Sequence, residues 1–185
     1  MRIWTIQPET VYASILETGI YRCKPALSVW LSDYNFANAY KWLNIQMESR
    51  IGKKPDEVKY PVWAWHTLYG KHKKPDLRLS EFRFESENSV CLELEIPNKK
   101  VLLSDEEDWH FVLNNWFNTK YKSNLDFDEA DSWFENLPES KKQQIKEKSW
   151  ESIFDVSNSQ FIQATFWELK EEDIIAIRHF KGATK

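Results

Sequence analysis

Apolar residues recur along the chain at two spacings, about every second residue or every third to fourth, and the switches between them mark out strands and helices. Arg2 to Ile6 is a short apolar strand. Pro8 stands where a helix can start, because its missing N–H is not needed in the first turn. Val11, Tyr12, Ile15 and Leu16 form the helical stripe and Gly19 closes it; Ile20 to Cys23 resumes as a strand. A longer helix runs from about Asp33 to Ile51, capped by Ser32 or Asp33, with Phe36, Tyr40, Leu43, Met47 and Ile51 on one side and Gly52 at its end.

After the polar loop GKKPDEVKY, the segment YPVWAWHTLYG alternates as a strand should. Val62, Ala64 and His66 share one face, Trp63 and Trp65 the other. KHKKPDLRL is a basic loop. Val90 to Ile96 is a half-buried strand with Glu93 and Glu95 outward, and Val101 to Leu103 adds a short one. Ser104 and Glu107 have capping-box spacing ahead of a stripe of Trp109, Val112, Leu113 and Trp116. Helical pieces follow over about Glu129 to Leu137 and Glu139 to Phe154, separated by Pro138.

The chain is organised around FIQATFWELKEEDIIAIRHF, which reads as a strand, an acidic turn and a second strand, with Gly182 to Lys185 a loose tail. Phe161, Gln163, Thr165 and Trp167 share one face; Ile162, Ala164, Phe166 and Glu168 share the other. A run that is apolar on two faces is normally covered on both, which makes Gln163 and Glu168 notable polar residues. Without regular βαβ alternation, the reading is a single α+β domain over 1–185: a split or strongly bent mixed sheet packed by four to five helices.

Composition supports a folded core, with 42% apolar and 29% charged residues. A net charge of −4 argues against a protein held to nucleic acid by a general positive surface, although Lys71, His72, Lys73, Lys74 and Arg78 form a local basic patch. Cys23 and Cys91 read as buried thiols of a reducing cytoplasm, with a structural disulfide as the alternative. No apolar signal core or run of about 18 apolar residues appears, so the expectation is a soluble cytoplasmic protein with no membrane partner. Most of the ten tryptophans read as core, and the alternative is a cluster that lines a groove for a planar ring.

Neither GxGxxG nor GxxxxGK[ST] is present, and the four histidines lack metal spacing, so no metal site is expected. Three polar groups remain. Thr5 and Gln7 end the first strand, where Gln7 could instead cap the helix. Trp65, His66 and Arg78 flank the basic loop, with a hydrogen-bonded core role for His66 and a surface pair of Asp76 with Arg78 as the plainer readings. Gln163 and Thr165 share a face of the late strand, with Glu168 opposite unless a bulge turns it.

The blocks WTIQ, YPVWAW with KKPDLR, VLLSDEEDWHFVLNNW and IQATFWEL resemble a bacterial domain family of unknown function over nearly the whole chain. More distantly, IWTIQPETVYASILETGIYRC is similar to the start of ADP-ribosyltransferase-like domains. IQATFWELKEEDI is similar to their late strand, where Gln-x-Glu precedes a turn. That resemblance implies NAD in a cleft between two small sheets, held by a first-strand Arg or His, an aromatic on the nicotinamide and a glutamate on the ribose. Here Trp4 and Thr5 stand in place of the Arg or His. Thr165 stands in place of the glutamate and cannot stabilise an oxocarbenium-like transition state by charge. RNA 2′-phosphotransferases resemble the fold and also lack that glutamate.

The resemblance implies an ADP-ribosyltransferase-like nucleotide-binding domain, either transferring ADP-ribose from NAD to a macromolecule or degenerate, with a nucleotide or RNA end as partner. In that reading Thr5 and Gln7 touch the dinucleotide, Trp65 stacks, Arg78 meets phosphate, and Gln163 and Glu168 act at the acceptor and sugar. The cleft then lies between the first and last strands, with Gln163 facing Thr5, Trp65 or Arg78. The alternative is a non-catalytic module with an aromatic-lined groove for RNA or a peptide.

Overall fold

The first strand, β1 (Arg2–Pro8), lies inside a six-stranded antiparallel sheet. The structure is a computed structural model that describes residues 1–23, 36–83 and 88–181. Helix α1 (Glu9–Thr18) leads to β2 (Ile20–Tyr21), and α2 (Ala37–Ile51) precedes β3 (Val62–Thr67), β4 (Asn88–Glu95) and β5 (Leu102–Asp105). Then come α3 (Glu106–Leu113), α4 (Phe127–Glu135), α5 (Glu139–Ser149), β6 (Ile162–Phe166), β7 (Leu169–Lys170) and β8 (Ile174–Lys181). The large sheet runs β5-β6-β3-β1-β4-β8, and β2 pairs with β7 in a separate ribbon. The fold is α+β with five helices among the described residues.

Two expectations about the sheet need correction. It is antiparallel throughout, not mixed. The two strands of the closing strand–turn–strand segment also do not pair with each other: β7 leaves to pair with β2, and the turn Glu171–Asp173 redirects the chain to the far edge, where β8 pairs with β4. Hydrophobic alternation reports which residues share a face but not the direction or neighbour of a strand.

Local signals set several boundaries. Gly19 ends α1 at φ 74°, a left-handed conformation that suits glycine. The cap of α3 is Asp105, which accepts from the Asp108 N–H at 2.8 Å, while Ser104 stays within β5. This corrects the capping box placed on Ser104. Asp126 and Glu129 form a capping box that starts α4 earlier than expected, at Phe127. Helix α5 stops at Ser149 and continues as a tighter turn over Trp150–Phe154. Trp116 is 59% exposed and outside the stripe of α3, because that helix ends at Leu113 and Asn115 turns the chain with φ 56°. The expected caps Ser32 and Asp33 and the tail 182–185 lie outside the described residues.

One face of the sheet buries Ile3, Leu92, Leu94, Ala64 and Phe166 against Val11 and Ile15 of α1. A second cluster joins Trp42, Leu43 and Met47 of α2 to Trp109 and Val112 of α3 and to Trp150, Ile153 and Trp167. Trp150 meets Trp42 edge to face at 5.5 Å and donates through Nε1 to the Trp116 carbonyl at 2.7 Å. Cys23 and Cys91 are free thiols, Cys91 buried and Cys23 half-buried. Among the described residues no helix is long and apolar enough to cross a membrane.

Candidate functional site

A cleft opens where the backbone ladder between β1 and β3 stops. β1 registers with β4 over seven residue pairs, from Arg2–Glu95 to Pro8–Ser89, but with β3 at one, Trp4 opposite Trp65. Beyond that pair a side chain joins the two strands: Thr5 Oγ1 donates to the Trp63 carbonyl at 2.7 Å. The cleft, about 540 Å³ in volume, takes Ile6 and Gln7 from β1, Trp63 and Trp65 from β3, and Gln163 from β6.

Register fixes which side chains meet there. Gln163 lies opposite Trp65 on one side and Ser104 on the other, and Trp65 lies opposite Trp4. Directly paired residues share a face, so Ser104, Gln163, Trp65 and Trp4 form one row across four strands. Three polar atoms of that row, Ser104 Oγ, Gln163 Oε1 and Trp4 Nε1, are buried without a hydrogen-bond partner. Of these residues Gln163 lines the cleft, and so does Trp63, whose Nε1 is likewise buried without a partner; buried polar groups are normally paired, so two unpaired ones on cleft-lining residues mark a place suited to a ligand.

The walls bring Phe82 and Phe161 beside the two indoles, and Glu81, Glu106 and Glu107 supply carboxylates; among the described residues no Lys, Arg or His lines the cleft. Phe82 packs edge to face on Trp65 at 6.3 Å. Glu81 accepts from the Tyr69 hydroxyl at 2.8 Å, and Tyr69 in turn packs on Phe161 at 4.9 Å. The turn at Gly70 (φ 67°) is tied to the residue before Phe161, its N–H donating to the Gln160 carbonyl at 2.8 Å. Glu106 and Glu107 open α3, where the helix dipole favours negative charge, and the Glu106 N–H donates to the Phe161 carbonyl at 3.0 Å. Glu106 also lies 3.5 Å from His110, whereas Glu107 has no ion pair among the described residues.

Gln7, Trp65 and Gln163 thus meet in one cleft. Gln7 does not cap α1: its Nε2 donates to Thr5 Oγ1 at 2.8 Å. Thr5 is fully buried and ties β1 to β3 beneath the wall. Arg78 lies outside the cleft, clamped by two nitrogens on Asp76 at 2.8 and 2.6 Å, and this pairing holds the Asp76 carboxyl well below the usual carboxylate range. Glu168 also lies elsewhere, accepting from Arg22 Nε at 2.7 Å while Arg22 Nη1 reaches Glu57 at 2.8 Å. Thr165 is buried and donates to the Leu102 carbonyl at 3.3 Å. The cleft is not between the first and last strands, because β8 lies beyond β4.

Glu81, Glu106, Glu107, Phe82 and Phe161 were not legible as site residues. Glu106 and Glu107 stand in the first turn of a helix, where acids ordinarily answer the dipole, and Glu81 and Phe82 come to the cleft through a loop without periodicity. Among the described residues, no group of three or more His, Cys, Asp or Glu could hold a metal ion.

Behind Trp65, the His66 ring stacks on His72 at 4.2 Å, and His66 Nδ1 lies 3.0 Å from Thr67 Oγ1. Burial, then the His72 ring and the chain's amino terminus, hold His66 below the ordinary imidazole value. The unfolded chain, titrating at about 6.5, therefore takes up this proton first. The contribution of His66 is full above about pH 6.5 and is lost as pH falls through its folded value. Urea melts at about pH 7.5 and about pH 5 should show wild type losing more stability on acidification than His66→Gln; an equal loss would refute this.

The chain belongs to the family described as Domain of unknown function (DUF3841), whose family model matches residues 2–175. No curated protein and no solved structure matches it.

Proposed function

We propose that this family member is an ADP-ribosyltransferase-like nucleotide-binding domain whose cleft takes the nicotinamide ring of NAD. The observation that carries the reading is the direct pairing of Gln163 with Trp65 inside a cleft of aromatic rings, amides and carboxylates. An indole face binds a planar ring by stacking. Side-chain amides of Gln7 and Gln163 match a carboxamide, which both donates and accepts. Carboxylates suit a ring that carries positive charge.

In transfer, the bond between nicotinamide and C1′ of the ribose breaks, its electron pair leaves with the now neutral nicotinamide, and an acceptor nucleophile bonds to C1′. The positive charge that develops on the sugar calls for a nearby carboxylate. In this reading Glu106 and Glu107, which line the cleft, take that role in place of Glu168, which accepts from Arg22 elsewhere. Three carboxylates and no cation among the described lining residues count against an RNA backbone lying in this cleft.

Calorimetric titration with NAD, paired with detection of released nicotinamide, tests the proposal. Binding that nicotinamide competes away is the expected result. No heat with NAD, and no quenching of tryptophan fluorescence by it, would sink the reading.

A further inference from the structure

On the same face of the sheet, beyond the Trp4–Trp65 pair, lies a second depression of about 540 Å³ lined by Arg2, Trp4, His72, Lys73, Lys74 and Glu93. Its charge is the reverse of the cleft's. Arg2 Nε lies 3.4 Å from Glu93 and 3.8 Å from Glu95, so its charge is largely answered. Lys73 and Lys74 have no ion pair among the described residues, and a lysine ammonium offers donors only. Trp4 is 4% exposed, and its Nε1–H, also donor-only, has no acceptor. The segment that carries the lysines is held in place: His72 Nε2 lies 2.8 Å from the Arg2 carbonyl, and Arg178 Nη1 donates to the Pro75 carbonyl at 3.1 Å. Lys73 also lies within electrostatic reach of the Asp76 carboxylate, which Arg78 already holds, so the groove offers two ammonium groups outside any ion pair, beside a buried indole N–H, the complement of an oxyanion.

We infer that this groove binds the phosphoryl oxygens of the same ligand whose ring occupies the cleft, so that the ligand is of the nucleoside diphosphate class and crosses the Trp4–Trp65 pair. The inference rests on the ring-binding reading of the cleft. Paired residues on antiparallel strands have Cα atoms about 4.5–5.5 Å apart, so ring and phosphate sites are neighbours. The cleft itself repels phosphate through Glu81, Glu106 and Glu107, which leaves the lysine groove to take that part of the molecule.

The test uses the full chain and three probes: nicotinamide riboside, which has the ring without phosphate, inorganic pyrophosphate, and NAD. Each is titrated into wild type and into the double variant Lys73→Ala/Lys74→Ala. The expected result is pyrophosphate and NAD affinity down about tenfold in the variant, with a shallower salt dependence, and riboside affinity unchanged. Riboside binding with pyrophosphate absent or indifferent to the variant would overturn the groove and leave the cleft standing. Pyrophosphate binding that the variant weakens, with no riboside binding, would overturn the shared ligand and the cleft reading together, leaving an anion site alone.

Discussion

Trp65→Ala is expected to weaken NAD binding by about tenfold to a hundredfold, since stacking one ring on an aromatic side chain contributes about 1–3 kcal/mol. Gln163→Leu should weaken it too, but the two substitutions part in their effect on the fold. Trp65 packs on Phe82 and stands opposite Trp4, so its loss removes buried contacts as well. Gln163 Oε1 has no partner, so leucine removes a buried acceptor that nothing answers. The melting temperature of Gln163→Leu should hold or rise, because burying an unsatisfied polar group costs about 1–3 kcal/mol. Paired titration and thermal melts measure both. A Gln163→Leu protein that melts lower and binds NAD normally would make the residue a fastener of β3 to β6, and the proposed ring site would lose its central contact.

Trp150→Ala should cost about 3–5 kcal/mol of stability, the usual range for emptying a large aromatic site in a core. The residue is 2% exposed, stands in the cluster that joins α2 to α3, and meets Trp42 edge to face. Set against a typical domain stability of about 5–15 kcal/mol, that loss would populate unfolded chain under mild conditions. Trp150→Phe keeps an apolar ring but gives up the bond to the Trp116 carbonyl, and should cost about 1–3 kcal/mol for the acceptor left behind together with a smaller packing loss. Urea midpoints read both values. A Trp150→Ala midpoint within error of wild type would mean that this cluster contributes little.

The sequence by itself determined which residues alternate, which face of β4 is buried, where α1 stops, and that Gln163 is a polar residue in a covered strand. Those features are local: side-chain period, a glycine at positive φ, and a proline at a helix start all act within a few residues of chain. The sequence also pointed Gln163 toward Thr5, Trp65 or Arg78 across a cleft, but not to the ladder pairing with Trp65 that the fold shows. Only the tertiary structure decided that β6 lies beside β3 while β8 lies beyond β4, because strand order depends on partners far away in sequence that leave no periodic signal. That order places Glu168 on Arg22 and brings Glu81, Glu106 and Glu107 to the cleft instead. It also sets the two lysines of the basic loop across the Trp4–Trp65 pair from an acidic pocket, because a loop of mixed charge takes its place from the sheet face it packs on and not from its own composition.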